Sequence, residues 1–142
     1  MFDYFANPTR FSKIARLILP WLEIISVACL GYGLYLALLS SPADYQQGDA
    51  VRIMYIHVPA AWIALSSYLL LGICAFFFLI WRHPLAEIAA RSIAPIGTGF
   101  AVITLITGSL WGKPIWGVWW VWDGRLTSML ILFFFFVGYL AL

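Results

Sequence analysis

Four apolar stretches, each close to the length of a bilayer crossing, decide what this chain can fold into. The first runs from Leu17 to Leu39 and the second from Val58 to Trp81. The third runs from Ile88 to Leu110, and the fourth begins at Leu126 and is still apolar at Leu142. At 1.5 Å per residue, roughly 23 helical residues cover about 34 Å, enough for a hydrocarbon core of about 30 Å. The second stretch carries no charge, the third only Arg91 near its start, and the first only Glu23. A spanning segment must satisfy its own backbone hydrogen bonds, so each stretch reads as a helix. None shows the polar–apolar alternation of a barrel strand. The last stretch is short, roughly 17 residues, and no charged or aromatic anchor closes it. The chain is therefore expected to stop within a fourth helix, as a fragment of something longer would.

Composition removes the competing classes. The hydrophobic share is 64% and the charged share 10%, against about 25% charged residues in an ordinary soluble domain. A fold of this size cannot hide that much apolar surface. A water-soluble enzyme, a nucleic-acid-binding domain and a disordered chain are thus excluded, and a net charge of +2 offers no basic patch. The expected fold is all-α, a polytopic transmembrane helical bundle forming one integral membrane domain over residues 1–142. Its spans are expected at about 17–39, 58–81, 88–110 and 126–142. Arg10, Lys13 and Arg16 precede the first span, but its apolar run is longer than the 7–15 residues of a cleavable signal core, and a second span follows.

The Lys/Arg distribution orients the bundle. Arg10, Lys13, Arg16, Arg82 and Arg91 fall on one side, and Arg52, Lys113 and Arg125 on the other. This bias puts the N-terminus in the cytoplasm. Loops 41–57 and 111–125 then share the outer face. Glu23 is read as lying about one turn into its helix, close enough to snorkel to the interface. Gly97, Thr98, Gly99, Thr104 and Thr107 suggest close helix packing along the third span. Gly108-x-x-x-Gly112 fits a small-residue packing motif at that helix's end.

Both outer loops carry unusual chemistry. Five of the eight tryptophans lie in one run, WGKPIWGVWWVWDGRLTS: Trp111, Trp116, Trp119, Trp120 and Trp122. An interfacial aromatic belt accounts for some of them, although a belt commonly spends one or two rings per helix end. If residues 116–123 are helical, Trp116, Trp119, Trp120 and Asp123 share one face at i, i+3, i+4, i+7 spacing. That face would be a platform for a large planar apolar ligand. Asp123 and Arg125 are either a solvated pair or, for Arg125, a grip on a ligand carboxylate. In the other loop His57 stands in RIMYIHVPAAW, with Pro59 expected to open the second helix. Its imidazole is either an ordinary interfacial group or an axial donor to iron. His83, in WRHP on the opposite side, reads as a solvated turn residue.

Several chemistries have no signature. Cys29 and Cys74 lie in mid-span with no CxxC and no CxxCH, so a covalent c-type haem site is absent and both read as small buried hydrophobes. No phosphate-binding loop, HExxH or GxSxG occurs. Any ATPase would be a partner.

The two loop motifs together are recognisable. WGKPIWGVWWVWDGRLTS resembles the tryptophan-rich WWD segment of the haem-handling proteins of cytochrome c maturation. MYIHVPAAW resembles the histidine loop before the second helix in one branch, the CcmC family. The tail Trp-Asp-Gly-Arg-Leu-Thr-Ser separates that branch from the haem lyases and synthases, which continue as WDP-x-E. The resemblance extends from Arg10 to Leu142. It implies a non-covalent haem b held on the periplasmic face of the bacterial inner membrane, with His57 as an axial ligand of the haem iron. It also implies that Trp111, Trp116, Trp119, Trp120, Trp122 and Asp123 form the haem platform, with Arg52 and Arg125 partnering the propionates. The family has six spans and a second haem histidine after the fourth, which would fall beyond Leu142. The implied role is presentation or export of haem and delivery to the chaperone CcmE, without bond-making catalysis. The implied partners are the ABC-type subunits CcmA and CcmB, the small membrane subunit CcmD and membrane lipid, with no nucleic acid. The competing class is a structural membrane subunit of a transporter or respiratory complex, with an aromatic belt and no haem.

Overall fold

The computed structural model describes residues 7–142, and its described residues form an all-α chain. Helix α1 spans Pro8–Tyr35 and runs on into a single π-helical turn, Leu36–Ser40. Helix α2 spans Val51–Trp81, α3 spans Pro84–Trp116 and α4 spans Gly124–Leu140. The first three are long and apolar enough to cross a membrane, while α4 has 17 residues.

The helix ends follow from local chemistry. Asn7 caps α1 by accepting from the Thr9 N–H at 3.0 Å, and Pro8 fills the first turn, where a missing N–H costs nothing. Asp123 caps α4 in the same way, accepting from the Arg125 and Leu126 N–H groups. Between α2 and α3 the chain reverses in two residues. Arg82 takes a left-handed conformation (φ 49°) and Pro84 restarts the helix. Gly117 ends α3 at φ 78°, a conformation natural to glycine.

The helices overrun the apolar stretches, and the two connections expected on the outer face shrink accordingly. They run over 41–50 and 117–123, not 41–57 and 111–125. The apolar edge of a segment marks where lipid ends. A helix continues past it wherever the residues can keep bonding i to i−4. Pro59 therefore lies inside α2 and does not open it. Its missing N–H leaves one carbonyl unpaired, which spanning helices tolerate. Glu23 also moves. With α1 starting at Pro8, it stands about four turns in, on a helix with no buried residue.

The core is a seam of small side chains. On α2 the buried residues are Ala60, Ala64, Ser67 and Leu71, and on α3 they are Ala90, Ala94, Gly97, Ala101, Thr104, Gly108 and Gly112. Both series step by three and four, the period of a left-handed pair, and the absent side chains let the backbones approach. Phe136 of α4 is fully buried against Ala64 and Ala101 and meets Tyr68 edge-on at 5.4 Å. A Cβ on Gly97 would collide with the Phe136 ring. Of the sequence-predicted packing residues, Gly97 and Thr104 lie on this seam, whereas Gly99 faces outward with nothing near it. Helix α1 stands apart and touches α2 chiefly through its π turn.

Candidate functional site

His57 sits in the second turn of α2, on the side facing α3. Its Nδ1 is 3.0 Å from the Thr107 hydroxyl, and its Cε1 edge lies over Gly108. A Cβ at this position would stand 3.2 Å from Cε1, close enough to push the ring by a few tenths of an ångström. On its open side His57 lines a cavity of about 630 Å³ between α2, α3 and α4. That volume falls within the range of about 300–1,000 Å³ common to small-molecule sites. The walls are apolar: Met54, Ala61 and Leu65 from α2, Leu105 from α3, and Leu126, Met129 and Leu132 from α4. Trp111, Trp116 and Arg125 close its outer end.

The tryptophan pair is held in place. Trp111 and Trp116 meet edge to face at 5.1 Å, and the Trp111 indole N–H donates to Gln47 Oε1 at 2.9 Å. That bond ties the 41–50 connection to the end of α3, so both connections lie at one end of the bundle. Arg125 packs over the Trp116 ring, 5.2 Å from its centroid. Its Nε and Nη2 both donate to Asp123 Oδ2, at 2.9 and 2.8 Å. The Leu126 N–H and the Arg125 guanidinium hold the Asp123 carboxyl below the ordinary aspartate value. Among the described residues Nη1 of Arg125 makes no hydrogen bond.

The other expected site residues lie elsewhere. Because α3 ends at Gly117, residues 117–123 are not helical, and the single-face platform of Trp116, Trp119, Trp120 and Asp123 does not form. Trp119 is exposed beside the Lys113 ammonium, over a shallow recess of α3. Trp120 and Trp122 pair edge-on at 5.4 Å, with Trp122 76% exposed. Trp120 is turned inward, its indole N–H buried without a partner. Arg52 donates to the Ser41 carbonyl at 3.1 Å and approaches Asp49 at 3.5 Å, and does not line the cavity. The structure thus brings together His57, Trp111, Trp116 and Arg125, with Asp123 behind Arg125. It also shows participants that motif reading passed over: Gln47 behind Trp111, and Met54 and Met129 in the walls. Met54 precedes His57 by three residues, a spacing visible in the sequence only once α2 is known to start at Val51.

A second cleft, about 860 Å³, opens between α1 and the α2–α3 pair. It is lined by apolar side chains with Tyr55 and Cys29, and it holds no imidazole and no charge. Among the described residues no cluster of three His, Cys, Asp or Glu side chains could hold a bare metal ion. A metal at His57 would have to arrive with most of its ligands already in place.

Known proteins match this chain throughout. A family model described as "Heme exporter protein C" covers residues 1–142. The protein of that name from Bradyrhizobium diazoefficiens is 51% identical over 137 residues, which is 96% of this chain and 52% of the relative. Its namesake from Escherichia coli K12 is 48% identical over 137 residues, 96% of this chain and 56% of the relative. That from Paracoccus denitrificans is 46% identical over 138 residues, 97% and 57%. The chain spans a little over half the length of these curated relatives.

Proposed function

The chain belongs to the heme exporter protein C family, and from that premise we propose that it binds haem b as cargo in the cavity beside His57. In this reading residues 1–142 form one membrane domain, the cavity opens at the periplasmic face of the inner membrane, and the bound haem is passed to the chaperone CcmE. CcmA, CcmB and CcmD are the proposed companions. The protein makes and breaks no covalent bond in this role.

The cavity's chemistry suits that cargo. One observation carries the reading: a half-buried histidine, bonded among the described residues through Nδ1 to Thr107, lines an apolar cavity capped by two tryptophans and one arginine. Haem offers a flat apolar face, an iron that accepts imidazole nitrogen and two carboxylates. His57 would supply the nitrogen. Trp111 and Trp116 would cover the ring and keep water from it, each burying of order 150–250 Å². Arg125 would meet a propionate through its uncommitted Nη1, while Asp123 holds its Nε and Nη2 in position. Trp119, Trp120, Trp122 and Arg52 take outer roles in this proposal, at the rim where haem enters and leaves.

The test is an absorption spectrum with a pyridine haemochrome assay on the detergent-purified protein beside His57→Ala. A b-type signal that collapses in the variant is expected. Equal haem in both would remove His57 as a required ligand. No haem in a folded protein would favour the structural-subunit reading, in which the tryptophans serve only the membrane interface.

A further inference from the structure

We propose that Thr107 is a positioning residue that holds His57 in the Nδ1–H tautomer, so that Nε2 presents its lone pair to the cavity. The proposal deepens the haem reading and rests on it for its functional consequence, though not for its chemistry.

The argument counts hydrogens. A threonine hydroxyl has one proton and two lone pairs. Thr107 Oγ1 lies 2.7 Å from the Ile103 carbonyl and 3.3 Å from that of Thr104. Both are acceptors only, and the shorter contact takes the proton, the usual back-bond of a helical threonine. What faces His57 Nδ1, at 3.0 Å, is then an oxygen lone pair. That contact is a hydrogen bond only if Nδ1 carries the imidazole proton. In a neutral ring Nε2 is then the bare nitrogen, the one able to bind iron. The opposite arrangement, Thr107 donating to Nδ1, would give up the 2.7 Å bond and leave a proton on Nε2.

Position is fixed along with tautomer. Thr107 and Gly108 are consecutive on α3. One holds Nδ1 and the other lets Cε1 rest against the helix backbone. The ring is therefore gripped on one edge, and among the described residues Nε2 makes no hydrogen bond. Groups that hold a ligating histidine by its second nitrogen set its orientation and basicity.

Two measurements test this. In ¹⁵N-histidine-labelled protein without haem, with the His57 signals assigned by their loss in His57→Gln, nitrogen NMR reads the tautomer directly. The wild-type ring should carry its proton on Nδ1. Thr107→Val should give a mixture, and Thr107→Ser should restore the wild-type pattern. Titration with ferric haem b should show about 10- to 100-fold weaker binding in Thr107→Val, and near-normal binding in Thr107→Ser. A proton on Nε2 in the wild type would overturn the proposal, as would identical NMR and affinity in Thr107→Val. If Thr107→Val does not fold, Thr107→Ala carries the same comparison. If His57→Ala binds haem as well as wild type, the haem reading fails, and the NMR result still decides the role of Thr107.

Discussion

Gly97 and Gly99 sit two residues apart on α3, and the structure predicts opposite outcomes when each becomes alanine. At Gly97 a Cβ would be driven into the Phe136 ring, with Cε1 at 2.5 Å and Ser67 Cβ at 2.9 Å. The ring has no room to retreat, being fully buried against Ala64 and Ala101 and braced by Tyr68. Overpacking of this kind costs about 1–3 kcal/mol, and an unyielding neighbour puts Gly97→Ala at the upper end. Replacing a helical glycine returns about 1 kcal/mol of propensity. The net loss is about 2 kcal/mol, roughly 30-fold in the folding equilibrium. Gly99→Ala has nothing within 4 Å, so only the propensity gain remains and stability should rise by up to about 1 kcal/mol. Unfolding by denaturing detergent in mixed micelles, followed by ellipticity, measures both. The double variant Gly97→Ala with Phe136→Leu should recover part of the loss, since the two sites touch. A Gly97→Ala protein as stable as Gly99→Ala would refute the seam as described.

Two further outcomes bear on the site. Gly108→Ala should move the His57 ring by a few tenths of an ångström and weaken ferric haem b binding about tenfold. Its unfolding midpoint should not fall, which separates a displaced ligand from a damaged fold. Asp123 gives the pH signature. Its carboxyl titrates below the ordinary value when folded because the Leu126 N–H and Arg125 stabilise its charge. That stabilisation is complete above the unfolded aspartate value and disappears as pH falls through the lower, folded one. Asp123→Asn keeps a capping side chain and should flatten this acid limb of the stability profile. An unchanged limb in equilibrium unfolding from neutral to acid pH would assign it to other carboxylates.

How much of this was legible in the sequence depended on which physical signal each feature carries. Hydrophobic runs mark the lipid-facing part of a helix, so the number and order of helices could be read from them. Their ends could not, because Arg52 and His57 interrupt the apolar run over the first two turns of α2, which still bond as helix. That error hid the Met54–His57 spacing. The tryptophan run was legible as a dense aromatic segment, but its geometry hung on Gly117. A left-handed glycine cannot be told from a helical one by spacing alone, and it divides the five rings between the cavity and the surface. Gly97, Thr104 and Thr107 were visible as packing residues. Which of them packed and which held a histidine required knowing what stood opposite.

The placement of the cavity follows from the seam. Small residues bring the α2 and α3 backbones together from Ala60 and Ala101 to Leu71 and Ala90. Toward the 117–123 end the α3 side stays small at Gly108 and Gly112 while the α2 side grows, with His57 resting on Gly108 beside Thr107. The cavity opens beside this contact, and α4 walls it from one side through Leu126, Met129 and Leu132. Its mouth is closed by Trp111, which Gln47 holds, and by Trp116 under Arg125, which Asp123 holds in turn. The grip on the imidazole and both capping rings come from α3, so one stiff helix sets His57 and the mouth of the cavity together.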